Sequence, residues 1–348
     1  MSSRAATERG DSEPRNARRT QVVCGLDEAG LGPLLGPLTI GYSAFEVPRD
    51  EPDLWKLLRK VCVRKLGKRT RIVVADSKQV FSRNPNGWKR LERTALSFAS
   101  LLEPDGRPPR DPHTFLFGPL APERSLVARH PWYDELPELP VSLEAGTVEL
   151  AAAGLQRELQ AQGAKLLTCG VRLVPSGELN DSLETTQNKG ETVWQQVSSV
   201  LQLFWEDYGA KDPEITVDVL GGRMRYGGLL ERAFPGTRVE TVREEPEHSA
   251  YVLCERDNDE GTRWLPRRMR IAFRVRGEEC SFAVALGSCL AKYAREVSME
   301  AFNAHFARFG KDIRPTAGYR ADAKRWLADA HDAIGASGVD RQLLIRRR

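Results

Sequence analysis

The sequence predicts a mixed α/β domain, and three observations carry that prediction. Short runs rich in β-branched and aromatic residues come first, amphipathic helical stretches then alternate with further such runs, and 41% of the 348 residues are apolar, enough to fill a core. Helices are expected to flank a central mixed sheet, with insertions on its surface.

QVVCGLDE and PLTIGYSAFEV read as two neighbouring strands separated by a Gly/Pro turn. RIVVADSKQV, 71–80, is a strand end running into a loop. Over 88–102, Leu91, Ala95, Phe98 and Leu102 recur at helical spacing, which places a helix against the sheet. Residues 103–143 hold many of the prolines and no sustained period, so they read as a long insertion or lid, or a small subdomain. VSLEAGTVELAAAGLQRELQAQG returns to helix and KLLTCGVRLVP to strand. A further helix follows at KGETVWQQVSSVLQLFWEDYG, with Val193, Val197, Val200, Leu201 and Phe204 on one side.

EITVDVLGGRMRY is a strand whose alternation stops at Gly221–Gly222, leaving Asp218 near its end. TRVETVREE and AYVLCERDNDEGTRWLPRRMRIAFRVRGEECSFAVAL read as further strands, with RRMRIAFRVRGEECSF expected to form a hairpin, and a second insertion is expected at about 250–282. The last helix, ALGSCLAKYAREVSMEAFNAHFARFG, buries Leu286, Leu290, Tyr293, Val297 and Ala301, with Glu296 at the edge of that stripe. The expected organisation is a solvated tail over 1–20, one domain over 21–335 and a frayed basic tail over 336–348. No internal repeat is visible.

Composition narrows the function classes without choosing among them. A net charge of +4 permits a polyanionic partner without demanding one. The six cysteines show no CxxC spacing, which argues against a zinc site or a disulfide framework and suits a reducing cytoplasm. The N-terminus lacks the apolar core of a signal peptide, and no apolar run approaches the roughly 20 residues that span a bilayer. The histidines are scattered without ligand spacing, so none is assigned to catalysis.

Asp27 and Glu28 stand at the end of an apolar strand, just before AGLGPLLGP. Successive strand residues point to opposite faces, so both acids can serve one site only where the pleat breaks. Asp218 and Glu296 are the candidates for a third and fourth acid. Four convergent carboxylates repel one another unless cations sit among them, and oxygen ligands without His or Cys select Mg²⁺ or Mn²⁺. Such a site suits in-line displacement at a phosphodiester by two metals. By spacing alone, an acid pair before a Gly/Pro turn is more often turn chemistry. Glu296 beside Arg295 equally reads as a solvated or paired charge, and Glu300 is as available by period.

GLDEAGLGPLLGP resembles the signature of type 2 ribonuclease H (ribonuclease HII), with the first acid pair at Asp27 and Glu28. ADSKQV resembles that family's D-S-K loop at Asp76, Ser77 and Lys78. TVDVLGG matches its strand acid with Asp218, SCLAKYAREVSM its A-K helix with Glu296, and PTAGY its later G-Y element with Tyr319. The order agrees from residue 22 to about 322. The resemblance implies a ribonuclease H-like fold, dependence on Mg²⁺ or Mn²⁺, and cleavage of the RNA strand of RNA–DNA hybrids or at ribonucleotides embedded in DNA. It also implies that Gly30, Leu31, Gly32 and Tyr319 meet the sugar carrying the 2′-OH, and that Ser77 and Lys78 hold phosphate. The chain departs from the pattern at Leu31, where the family has arginine, and at Glu296, where it has aspartate. Two rival readings are a binding protein of this fold without turnover and a same-fold nuclease acting on branched DNA.

Other cations are weighed the same way. Arg268, Arg270, Arg274 and Arg276 alternate with apolar residues, which suits either a phosphate track or a solvated strand face. Lys189 and Arg223 are further candidates for phosphate. Trp132 and Tyr133 either stack on a base or pack the insertion to the core.

Overall fold

In the computed structural model, which describes residues 20–67, 71–256 and 267–347, the alternating runs pair into a seven-stranded sheet. Its strands are β1 (Thr20–Ala29), β2 (Leu38–Pro48), β3 (Lys165–Val174), β4 (Glu214–Asp218), β5 (Thr237–Glu245), β6 (His248–Glu255) and β7 (Arg268–Arg274). They lie in the order β3-β2-β1-β4-β7-β6-β5. The neighbours β1–β4 and β4–β7 are parallel; β1–β2, β2–β3, β5–β6 and β6–β7 are antiparallel. The expected mixed α/β architecture is therefore observed, with helices on both faces of the sheet.

The period-two pattern explains the layering. Val22, Cys24 and Leu26 of β1 face one core, shared with Val193, Val197, Val200, Leu201 and Phe204 of α4 (Lys189–Tyr208). The opposite face packs on α5 (Phe282–Ala307), whose Leu286, Leu290, Tyr293 and Val297 are buried beside α1 (Pro85–Ala99) and α2 (Ala145–Ala161). Between them, α3 (Ser176–Thr186) follows β3. The α5 helix reaches the sheet closely because Gly41 has no side chain: a Cβ there would overlap the Gly287 carbonyl and the Ala291 amide. Hydroxyls complete the joint, Thr39 Oγ1 donating to Ala291 O at 2.9 Å and Ser43 Oγ to Ala283 O at 3.0 Å.

Three expectations need correction. RMRIAFR is one strand of the main sheet, and its antiparallel partner is the preceding β6; the chain after it enters a short helix, Gly277–Cys280, instead of returning as a hairpin. The expected insertion at 250–282 thus contains sheet strands, with residues 257–266 outside the described residues. The strand expected at the start of 71–80 is present at Ile72–Val73 and runs into a loop; it pairs with Cys62–Val63, apart from the main sheet. The first helix ends at Ala99, and a 3₁₀ turn leaves Leu102 40% exposed.

The segment 103–143 holds short helices at Pro112–Leu116 and Arg124–Ala128, and it packs as part of the body. Trp132 and Tyr133 are buried, which decides for packing over base stacking. Its end is tied down by the buried Glu92 carboxylate, which accepts the amides of Val141, Ser142 and Leu143 and the Tyr293 hydroxyl. A buried carboxylate needs such donors to offset its desolvation.

Candidate active site

Parallel pairing brings the carboxyl ends of β1, β4 and β7 to one edge, the place where open α/β sheets bind ligands. Pairing of β1 with β4 stops at Leu26 and Val217, while β1 continues against β2 to Ala29. The expected break in the pleat is not found at the acids: β1 stays regular through Asp27 and Glu28, and what opens the edge is the parting of β1 from β4. Asp27, Glu28 and Asp218 are the residues immediately past that point; all three are part-buried, Asp27 feels the charge of Glu28 and Asp218, and Glu28 feels that of Asp218.

The electrostatics follow from that crowding. Burial, then repulsion from Glu28 and Asp218, holds the Asp27 pKa well above the usual carboxylate range; the Ser288 hydroxyl and the Glu28 amide, 2.8 Å from Oδ1, work against the rise. Glu28 is pushed up to about 6 by burial and then by Asp218, with Lys78 opposing. Asp218 is also raised by burial, although its Oδ1 accepts the Gly277 amide at 2.9 Å and Lys78 lies near. This is the signature of acids whose countercharge is incomplete.

Lys78 and Ser77 arrive on a short helix capped by Asp76, whose Oδ1 accepts the Lys78 amide at 2.9 Å. Ser77 meets Ser288 of α5, Oγ to Oγ at 3.2 Å, which docks the loop beside Asp27.

Glu296 does not join the cluster. It bonds Lys292 at 2.5 Å on its own helix and lines a groove with Phe81, Trp88 and Thr316. The fourth carboxylate that feels Asp218 is Glu278, raised by burial and then by Asp218 and Asp76. It stands directly after Gly277, whose amide grips Asp218. A signal for it was present: Gly277–Glu278 follows the end of β7, so it is a strand-end acid like Asp27 and Asp218. Reading the segment as a hairpin hid that.

The loop 30–37 runs from the acids to a second cluster of contacts. Gly30 takes φ +89°, a left-handed conformation that side chains resist. Arg295 of α5 is buried and donates to Pro37 O at 2.5 Å, Leu35 O at 3.1 Å and Ala317 O at 3.0 Å. Gly318 O accepts the amides of Leu34 and Leu35 at 2.7 and 3.2 Å, which brings Tyr319, 48% exposed, to this loop. Leu31 is part-buried, and Gly32 is exposed.

Among the described residues, no three His, Cys, Asp or Glu side chains are grouped closely enough to enclose an ion as they stand. The donor chemistry nevertheless suits a hard divalent cation: oxygen ligands only, mutually repelling, with one lysine nearby.

No family model and no curated protein matches the chain. Its fold is similar to solved structures of ribonucleases H2, HII and HIII. The ribonuclease H2 of Pyrococcus horikoshii OT3 is 17% identical, with 94% of this chain and 93% of that one covered, at TM-score 0.44. Bst-RNase HIII in complex with Mn²⁺ is 14% identical, covering 98% and 72%, at 0.45. The RNase HII of Archaeoglobus fulgidus, solved with PCNA, is 13% identical, covering 94% of each chain, at 0.40.

Proposed function

We propose that the protein is a metal-dependent endonuclease cleaving the RNA strand of RNA–DNA hybrids or at ribonucleotides embedded in DNA. The observation that carries this reading is the convergence of Asp27, Glu28 and Asp218, with Glu278, at the carboxyl ends of three strands beside Lys78. The ribonucleotide-directed substrate rests on the likeness of GLDEAGLGPLLGP and its companion motifs to type 2 ribonuclease H. One or two Mg²⁺ or Mn²⁺ ions held by these four acids would supply the charge that activates water and stabilises the leaving oxygen.

The chain's own residues set the geometry. The Gly277 amide fixes Asp218, and the Glu28 amide with Ser288 orients Asp27. Lys78 is placed to neutralise a phosphate oxygen beside the acids. Gly30 and Gly32 let backbone approach a sugar, and the exposed Tyr319 ring offers it a stacking surface.

Cleavage of a hybrid and of DNA carrying one ribonucleotide, with Mg²⁺ or Mn²⁺, is the direct test. Wild type should cut at least one; Asp27→Asn and Glu278→Gln should lose about a hundredfold or more, while Glu296→Gln stays within several-fold. A well-folded wild type that cuts neither substrate overturns the reading. Retained hybrid affinity without cleavage would make it a binding protein instead.

A further inference from the structure

The C-terminal residues, expected to fray, are built into the loop that follows the acid pair. Ile345 bridges Leu35 in antiparallel fashion, the Arg346 amide donates to Leu34 O at 3.0 Å, and Asn180 Nδ2 holds Gln342 O and Ile345 O at 2.7 and 2.9 Å. The Arg346 side chain is only 5% exposed. Its Nε donates to Gly36 O at 2.7 Å and its Nη1 to Gly30 O, whereas Nη2 is buried without a hydrogen-bond partner.

That guanidinium also lacks a countercharge. Among the described residues it forms no ion pair, and the charged group acting on it is the buried Arg295, another cation. Burial and Arg295 together hold the Arg346 pKa well below the usual arginine range. A buried charge satisfied only by carbonyls is costly, and an anion brought from outside would relieve it. Arg346 lines a cavity of about 330 Å³ with Leu31, Gly32, Lys189, Thr192 and Arg347, and no acid is among the lining residues. Lys189 and Thr192 belong to the first turn of α4, where amide dipoles add positive potential. Arg347 is partly neutralised by Glu184 at 2.9 Å, which leaves Arg346 as the buried cation without an acid partner in this lining.

We propose that this cavity is a phosphate-binding site, in which Arg346 and Lys189 grip a backbone phosphate of the nucleic acid. The site lies on the Gly30–Gly32 loop two residues beyond Glu28, so the phosphate held there is close to the one at the acids. The choice of a nucleic-acid phosphate rests on the proposed nuclease reading; the anion site itself rests on the buried, uncompensated arginine.

Two measurements test it. Binding of a labelled RNA–DNA hybrid is followed against salt for wild type, Arg346→Met, the Lys189→Ala/Arg347→Ala pair, and, as a control, Arg268→Ala, whose guanidinium faces Asp212 at the amino end of β7, opposite the acids. Thermal unfolding is followed with inorganic phosphate at constant ionic strength. Wild type should bind the hybrid about tenfold or more tightly than Arg346→Met, with the logarithmic salt slope reduced by about one in that variant and by at least as much in the pair. Arg268→Ala should keep the wild-type slope. Phosphate should raise the wild-type Tm and leave Arg346→Met unmoved.

If Arg346→Met does not fold, the Lys189→Ala/Arg347→Ala pair decides by the same slope. Hybrid binding with unchanged affinity and slope in the folded variants overturns the proposal. If wild type binds no hybrid, the nuclease reading fails by itself: phosphate stabilisation lost in the variants then upholds an anion site for free phosphate, and its absence overturns the site as well.

Discussion

Asp27 shows what the clustered strand-end acids cost this fold. The carboxyl pKa values of Asp27, Glu28 and Asp218 are raised, so the folded chain holds protons that the unfolded chain has released. Stability from these groups therefore falls as pH rises from the ordinary carboxylate range through the folded values, about 6 for Glu28. Asp27→Asn removes one charge from the cluster and should raise Tm at pH 7 by roughly 2–4 °C while abolishing cleavage. Mg²⁺ should stabilise wild type more than this variant, because binding to the folded state alone adds stability in proportion to site occupancy. Thermal unfolding with and without Mg²⁺ checks both. A lower Tm for Asp27→Asn would show that its bonds to Ser288 and the Glu28 amide outweigh the repulsion.

The element that positions the site is α5. It lies along β1 and β2 at a separation set by Gly41, and it delivers Ser288 to Asp27 and Arg295 to the 30–37 loop. Gly41→Ala should push the helix off the sheet and cost about 3 kcal/mol or more, since backbone on both sides leaves no flexible atom to give way. Urea titration would measure that loss, and cleavage should fall with it because Ser288 and Arg295 move together. A variant as stable as wild type would show that the helix can shift without penalty. The same element explains why Glu296 misled the sequence reading: it has the right period and the right neighbours in the chain, yet its turn of α5 faces the Phe81–Trp88 groove, and Lys292 neutralises it.

Across the whole molecule, His130 joins the 103–143 segment to α3. Its Nε2 accepts the Gly177 amide at 3.2 Å and its Nδ1 donates to Leu126 O at 2.8 Å, a pairing that only the neutral ring can make. Burial lowers its pKa to about 4, so the unfolded chain binds a proton that the folded chain refuses. Stability from this contact is full above about pH 6.5 and is lost as pH falls toward 4, at about 1.4 kcal/mol per unit. The Tm of wild type should fall more steeply than that of His130→Gln over this window; parallel curves would refute the assignment. Much of the molecule was legible without such long-range contacts. Alternation in VVCGL and TVD and the helical stripes of α4 and α5 are local consequences of burying one face, and they marked Asp27, Glu28 and Asp218 as strand-end acids. Two features were decided only by tertiary structure: the parting of β1 from β4, and the burial of Arg346 against Gly30 and Gly36. Each depends on which distant strand or terminus becomes a neighbour. Periodicity records which face of an element is buried and carries no information about what it is buried against.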